Sequence, residues 1–343
     1  MTKKNLRRLA LVGCMTFVTL VLVAGCILIT TRTGCVRNPG MVYVPHGTSY
    51  EALLDSLTGD RKIRYKSAFD WYARHIGLDS NVRAGRYELR PGMSYVQVAR
   101  MFNLGEQTPL NITFNNVRDP YLLAAKLAPQ IEPDSAAIVE AFHNPELHTK
   151  LGVSSAKELF GMILPNTYEV YWSITPEEFF CRMKREYEHF WSPGRVAQAE
   201  KLHMTRAQVT TLASIIYEDT AKIEEMPIIA GVYINRLRIG MPLQADPTVK
   251  YAIGDYTIRR ITHKMLRTNS PYNTYRHAGL PPTPICMPSI AAIDAVLNYR
   301  HHVYLYFCAK EDFSGYHNFA ATYREHRANA KRYTQALDQR GIK

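Results

Sequence analysis

Two adjacent carboxylic acids, Glu218 and Asp219, close an apolar run that reads Thr210-Thr211-Leu212-Ala213-Ser214-Ile215-Ile216-Tyr217. Val209, Leu212, Ala213 and Ile216 recur at helical spacing, and Thr205 with Gln208 three residues on forms a capping-box pattern. The spacing predicts a buried helix that begins at Thr205 and ends near the acids. Steps of about 100° per residue put Glu218 nearly opposite the centre of the apolar stripe, on a face shared with Thr211 and Ser214, where it should look into a cleft. A carboxyl group one turn past Ile215 and next to Tyr217 would be partly desolvated and so suited to hold a proton near neutral pH, which a general acid requires. A solvated carboxylate at a helix end is the plain alternative.

Other polar groups suited to face a ligand follow. Asn235 is the odd polar residue on a predicted helix over 226–237, which has Pro227 in its first turn and Gly240 beyond its end. A buried asparagine serves equally well to satisfy backbone groups. Gln244, Asp246 and Thr248 occupy a Pro-broken loop, where polar side chains often meet ligand, although Asp246 before Pro247 also fits a turn or cap. Tyr272-Asn273-Thr274-Tyr275 and Gly279-Leu280-Pro281-Pro282 read as irregular walls with aromatic faces and amides, groups that pack on sugar rings and bind N-acetyl groups. A Pro-rich structural loop is the other reading.

In their order and close spacing, the run ending at Thr220, Ala230-Gly231-Val232-Tyr233-Ile234-Asn235-Arg236-Leu237, Met241-Pro242-Leu243-Gln244-Ala245-Asp246-Pro247-Thr248, the 272–275 tetrapeptide and Gly279-Leu280-Pro281-Pro282-Thr283-Pro284-Ile285 form one set. This set resembles the catalytic domain of the endolytic murein transglycosylases, the MltG or YceG-like family. The resemblance spans the chain in outline and is dense over 212–284. It implies a glutamate acid catalyst, which Glu218 matches. Where the family usually has Glu-Lys-Glu-Thr, this chain has Ile216-Tyr217-Glu218-Asp219-Thr220, so Asp219 is a second candidate, and Glu218 is preferred for its reach. The 159–168 block resembles the family's Glu-Gly-aromatic-x-x-Pro-Asp-Thr-Tyr motif but carries Phe160 and Asn166 at its acidic positions, which fits a one-acid mechanism.

Such a mechanism protonates the glycosidic oxygen between N-acetylmuramic acid and N-acetylglucosamine and then deprotonates the muramic acid 6-hydroxyl, which closes on C1 to a 1,6-anhydro sugar. The attack is intramolecular, so a second acid is dispensable. A muramidase-type hydrolase using Asp219 or Asp246 to activate water, and a non-enzymatic membrane-tethered wall-binding protein, are the competing classes.

Before the catalytic region, Val42-Tyr43-Val44-Pro45-His46-Gly47-Thr48-Ser49-Tyr50 and Tyr87-Glu88-Leu89-Arg90-Pro91-Gly92-Met93-Ser94-Tyr95 form a weak internal repeat, with a decayed third copy from Asn111. Each reads as strand, Gly turn, Ser or Thr cap and small helix, which resembles the LysM module, a glycan-binding unit. A spacer that merely orients the next domain is the alternative.

The N-terminus carries Lys3, Lys4, Arg7 and Arg8, followed by an uncharged apolar run over 9–29, about the length that spans a bilayer. The positive-inside rule puts the first residues in the cytoplasm and the rest outside. A cleaved signal peptide, or a lipobox at Val23-Ala24-Gly25-Cys26, are rival readings, and the apolar residues after Cys26 argue against the second. The expected organisation is a cytoplasmic tail (1–8), transmembrane helix (9–29), linker (30–40), LysM-like subdomain (41–110), connecting segment (111–158) and catalytic domain (159–343), α+β in class with a helix-rich catalytic part. It implies a periplasmic catalytic domain on the cytoplasmic (inner) membrane.

The 343 residues carry a formal charge of +12, but the basic residues are scattered, which argues against nucleic acid and suits an anionic membrane surface. Six cysteines and twelve histidines show no zinc spacing, so neither a metal site nor a cofactor is expected. Exported Cys35, Cys181, Cys286 and Cys308 leave room for a disulfide whose pairing the spacing does not choose. Glycan strands are the implied substrate, and strand termination the implied role, with peptidoglycan synthases as candidate partners.

Overall fold

A computed structural model describes residues 3–32, 34–258 and 260–341, with the side chains of 3–11, 27 and 29–32 outside it. The basic residues Lys3, Lys4, Arg7 and Arg8 and the apolar Ile27 and Ile29, expected to frame a membrane anchor, thus lie outside the described side chains. The chain is a helix-rich α+β protein, 51% helical, whose small sheets are two-stranded among the described residues. It divides into two compact units.

The first unit comprises residues 1–111 with two later segments, 130–132 and 169–174. It holds α1 (Lys3–Arg32), β1 (Gly40–Val44), α2 (Tyr50–Gly59), α3 (Lys66–His75), β2 (Gly85–Leu89) and α4 (Tyr95–Leu104). β1 and β2 pair antiparallel from Gly40↔Leu89 to Val44↔Gly85. The first two copies of the repeat share a construction. Each strand ends in a left-handed glycine, Gly47 (φ 75°) or Gly92 (φ 82°), and the next helix is capped by Ser49 or Ser94, the latter in a capping box with Gln97. Their helices bury Leu53, Leu57, Val98 and Phe102 in one core, where Tyr87 packs edge-on to Phe102 at 4.7 Å. Glu132 and Trp172 join from the later segments, through the His46–Glu132 ion pair (2.7 Å) and the Tyr43–Trp172 ring contact (5.1 Å). Among the described residues no helix is long and apolar enough to cross a membrane.

The second unit takes in the remaining residues. In chain order it holds α5 (Pro120–Leu127), α6 (Ser135–His143), α7 (Pro145–Leu151), α8 (Ala156–Gly161), α9 (Pro176–Phe190), α10 (Pro193–Lys201), α11 (Arg206–Asp219), α12 (Met226–Arg238), α13 (Asp246–Ile253), α14 (Ile290–Leu297), β5 (Tyr306–Ala309), β6 (His317–Ala320) and α15 (Tyr323–Gln339), while the residues of β3 (Leu110–Phe114) and β4 (Asn166–Val170) are divided between the two units. Residues 111–158, read from sequence as a connecting segment, do more than connect. α5 to α7 bury Leu123, Leu127, Ile138, Phe142 and Leu147, and Phe142 stacks edge-on to Phe180 of α9 at 4.5 Å.

α11 is the central helix of this unit, packed against α8, α10, α12, α13 and α14. It starts with the expected capping box of Thr205 and Gln208. It is not amphipathic: every residue from Val209 to Ile216 is buried, including Thr211 and Ser214. Their hydroxyls donate to the backbone carbonyls of Ala207 and Thr211, and Ser214 Oγ also accepts the Ile285 N–H (3.0 Å), so polarity on that face is satisfied by backbone groups within the protein. Gly231 of α12 allows the 300–302 segment to approach closely, since a Cβ there would lie 2.4 Å from the Arg300 carbonyl oxygen. Near the end of the chain the sequence suggests a strand over 303–307 and then a turn into a helix. Instead β5 starts at Tyr306 and 317–320 form its antiparallel partner β6, because Gly315 (φ 80°) lies in the connecting turn and the pairing Tyr306↔Ala320 to Ala309↔His317 satisfies both backbones. Cys35, Cys181, Cys286 and Cys308 are free thiols, Cys35 and Cys286 being buried.

Candidate active site

Burial of α11 on all sides means its functional surface is its end. The helix stops at Thr220, whose extended backbone (φ −143°, ψ 139°) turns the chain away, and only Tyr217, Glu218 and Asp219 in the last turn are partly exposed. These three line a cleft of ≈ 590 Å³ together with Asn116, Arg118, Thr220, Ala221, Ile223, Met226, Ser289 and Ala291. The expected cleft exists, but it opens at the tip of the helix and not along the Thr211–Ser214 face.

Glu218 and Asp219, about 100° apart on the helix, enter opposite surroundings. The Glu218 carboxylate, 16% exposed, accepts a hydrogen bond from Arg118 Nη2 at 3.0 Å on one oxygen and from Asn116 Nδ2 at 3.4 Å on the other. The Arg118 guanidinium in turn lies over the Tyr256 ring, 4.5 Å from its centroid. Burial pulls the Arg118 pKa down, but the hydrogen bond and charge of Glu218 outweigh it and the net direction is up. The partial desolvation expected of Glu218 is present, but its carboxylate is met there by an ion pair with Arg118.

Asp219, partly exposed to the cleft, points toward α12. Burial pushes its carboxyl group up to about 8, against a hydrogen bond of 2.5 Å from the Tyr233 hydroxyl, with the nearby charges of Asp246 and Glu218 adding to the rise. Asp246 is itself raised by desolvation and accepts a hydrogen bond of 2.6 Å from Tyr275. Asp219 is thus held toward its protonated form beside the Arg118-paired Glu218.

Asp246 and Thr248, expected on a Pro-broken loop, lie in the first turn of α13, whose start is stitched to the loop that carries Tyr275. Gln244, left-handed at φ 49°, donates its backbone N–H to the Thr274 carbonyl (3.1 Å), and Ala245 N–H donates to Thr274 Oγ1 (3.0 Å). The buried Arg236 of α12 donates to the carbonyls of Leu243 (2.7 Å) and Leu305 (2.6 Å), pinning the 242–243 turn. Of the residues expected at the site, Asp246 and Tyr275 meet each other, and the side chain of Gln244 is exposed. Asn235 lies elsewhere, donating to the carbonyls of His302 (2.8 Å) and Tyr304 (3.1 Å). Asn273 is fully buried and donates to the carbonyls of Leu266 (3.0 Å) and Thr268 (2.8 Å). Tyr272 is buried against Tyr251, with its hydroxyl 2.6 Å from Thr283 Oγ1. These three hold loops in shape.

Asn116, Arg118 and Tyr233 were not singled out from sequence. The first two lie about 100 positions from Glu218, with no local pattern to link them. Tyr233 stands on a predicted helix beside Asn235, but its partner is visible only once α11 and α12 are packed.

A carboxylic acid held toward its protonated form next to a fixed carboxylate is the equipment of an acid–base catalyst that cleaves C–O bonds. The YceG-like family matches residues 42–332, and the chain belongs to that family. The chain is 27% identical over 314 residues to the endolytic murein transglycosylase of Bacillus subtilis (strain 168), covering 87% of this chain and 86% of that protein. It is 28% identical over 298 residues to the endolytic murein transglycosylase of Streptococcus pneumoniae serotype 2, covering 78% of this chain and 54% of the longer streptococcal protein. A 2.6 Å crystal structure of a yceG-like protein from Listeria monocytogenes superposes with a TM-score of 0.57 at 27% identity, covering 84% of this chain and 98% of that one.

Proposed function

We propose that the chain cleaves the glycan strands of peptidoglycan as an endolytic lytic transglycosylase, with Asp219 as the proton donor and Glu218 as its charged companion. The observation that carries the assignment is the contrast within one helical turn: Arg118 and Asn116 occupy both oxygens of Glu218, while Asp219 accepts a hydrogen bond from the Tyr233 hydroxyl and is pushed up to about 8.

In this reading Asp219 gives its proton to the oxygen that leaves C1 of N-acetylmuramic acid, and the C1–O bond breaks. The Glu218 carboxylate faces the positive charge that develops on the ring. The Asp219 carboxylate then takes the proton of the 6-hydroxyl, whose oxygen closes on C1. One proton leaves the acid and one returns, and no water is consumed. Gln244, Asp246 and Tyr275 are proposed to meet the glycan from the stitched segments.

The finer placement is also a proposal. α1 is read as a single-pass anchor in the cytoplasmic membrane with the rest periplasmic, supported by the four basic residues before the 9–29 apolar run and by its 30 helical residues, about 45 Å at 1.5 Å per residue. The first unit is read as a LysM-like subdomain that engages glycan, with synthases of the wall as partners. Digestion of uncrosslinked glycan strands, with the fragments weighed, tests the chemistry. Ends carrying 1,6-anhydro sugars, one water lighter than hydrolytic ends, are expected from the wild type and none from Asp219→Asn. Hydrated reducing ends would move the enzyme to the muramidase-type hydrolases.

A further inference from the structure

Val117, buried to 3% exposure, is fixed between β3 and the Asp119 cap of α5, and its carbonyl accepts the Met287 N–H at 2.9 Å. Asn116 and Arg118 flank this anchor and close on the two oxygens of one carboxylate. The segment is tied at both ends and at its middle, and the guanidinium is backed by the Tyr256 ring, so the clamp is preorganised.

We propose that Arg118 is a positioning residue for the transglycosylase reaction, holding the Glu218 carboxylate in one orientation in the cleft beside Asp219. The inference rests on the reading of Asp219 as the donor. Among the described residues, Arg118 after β3, Cys286 before α14 and Tyr256 after α13 face Glu218, while Tyr233 and Arg236 of α12 and Asp246 of α13 face Asp219. Arg118 brings the charge-assisted hydrogen bond to Glu218, and without it the carboxylate loses the guanidinium that fixes its orientation.

The test is kcat and KM, with the melting temperature, for the full chain on uncrosslinked glycan strands. Arg118→Gln is expected to lower kcat about ten-fold with KM and melting temperature close to wild type. Arg118→Lys, which keeps the charge but loses the fork, should recover part of the lost kcat. An unchanged kcat in Arg118→Gln, or a loss that comes with a matching drop in melting temperature, would mean ordinary structural support and overturn the proposal. If that variant does not fold, Tyr256→Leu removes the backing ring but no charge, with a lower kcat at unchanged KM expected and an unchanged kcat overturning the proposal equally. Asp219→Asn separates the two claims: if it still cleaves, the reading of the acid fails. If it is inactive and kcat of Arg118→Gln is unchanged, only the role of Arg118 fails.

Discussion

The two sides of the last turn of α11 differ more than any sequence pattern around them suggests. Toward the loop after β3, Glu218 meets a guanidinium and an amide at the edge of the cleft. Toward α12, Asp219 meets a phenol and, beyond it, the exposed Asp246 carboxyl group. Neighbouring residues of one chemical type therefore have opposite assignments because a helix aims them at different tertiary partners. A motif locates such a pair. Packing divides the work between its members.

Removing the acid on the α12 side should break the comparison most completely. Asp219→Asn keeps shape and one hydrogen-bond acceptor but has no proton to deliver, so kcat is expected to fall by about 10² to 10⁴-fold. The same change should stabilise the fold. A carboxyl group whose folded pKa is raised binds more protons when folded than unfolded, so the wild type loses stability as pH rises from about 4 toward 8. A neutral asparagine has no such loss, and its melting temperature should exceed the wild type's most at pH 8. Equal activity in the variant would return the acid role to Glu218.

Glu218→Gln comes next. The Glu218 charge is worth at most ~4 kcal/mol at an effective dielectric constant near 20 and an approach of about 4 Å, and less farther away, which predicts a loss in kcat of roughly ten- to a hundred-fold. A loss equal to or larger than that of Asp219→Asn would reverse the assignment.

Smaller and opposite shifts are expected from the partners of Asp219. The Tyr233 hydrogen bond favours its charged form, so Tyr233→Phe should raise its pKa and move the alkaline limb of kcat up by about half a pH unit. The Asp246 charge disfavours that form, so Asp246→Asn should move the limb down. If Asp246 instead acts only by touching glycan, KM rises and the limb stays where it is.

What was legible in the sequence was local. The capping box at Thr205, the span of α12 behind Pro227 and the repeat of strand, glycine turn and capped helix each depend on residues within a few positions of one another. The site required contacts that are not local. Arg118 and Asn116 reach Glu218 from about 100 positions away, and the all-round burial of α11 follows from the five helices packed around it, so the expected polar face of Thr211 and Ser214 faces protein instead of a cleft. The sequence names both acids of the last turn but not the side chains each of them meets.

The smallest effect on catalysis is expected where sequence and structure disagree most. Asn273 lies in the loop that carries Tyr275 and was expected to bind glycan, yet it is fully buried. Its amide donates to the Leu266 and Thr268 carbonyls, and its oxygen accepts from the Tyr275 N–H at 3.0 Å. All of its polar capacity in the structure goes into shaping the loop. Asn273→Ala would leave those buried groups unpaired, at a cost of about 1–3 kcal/mol each before the loop relaxes or water enters. The melting temperature should therefore drop by several degrees, while kcat and KM, measured well below it, stay within about two-fold of wild type. A variant that melted like the wild type but bound glycan strands poorly would return Asn273 to the cleft, and with it the expectation that the whole 272–275 wall faces the sugar.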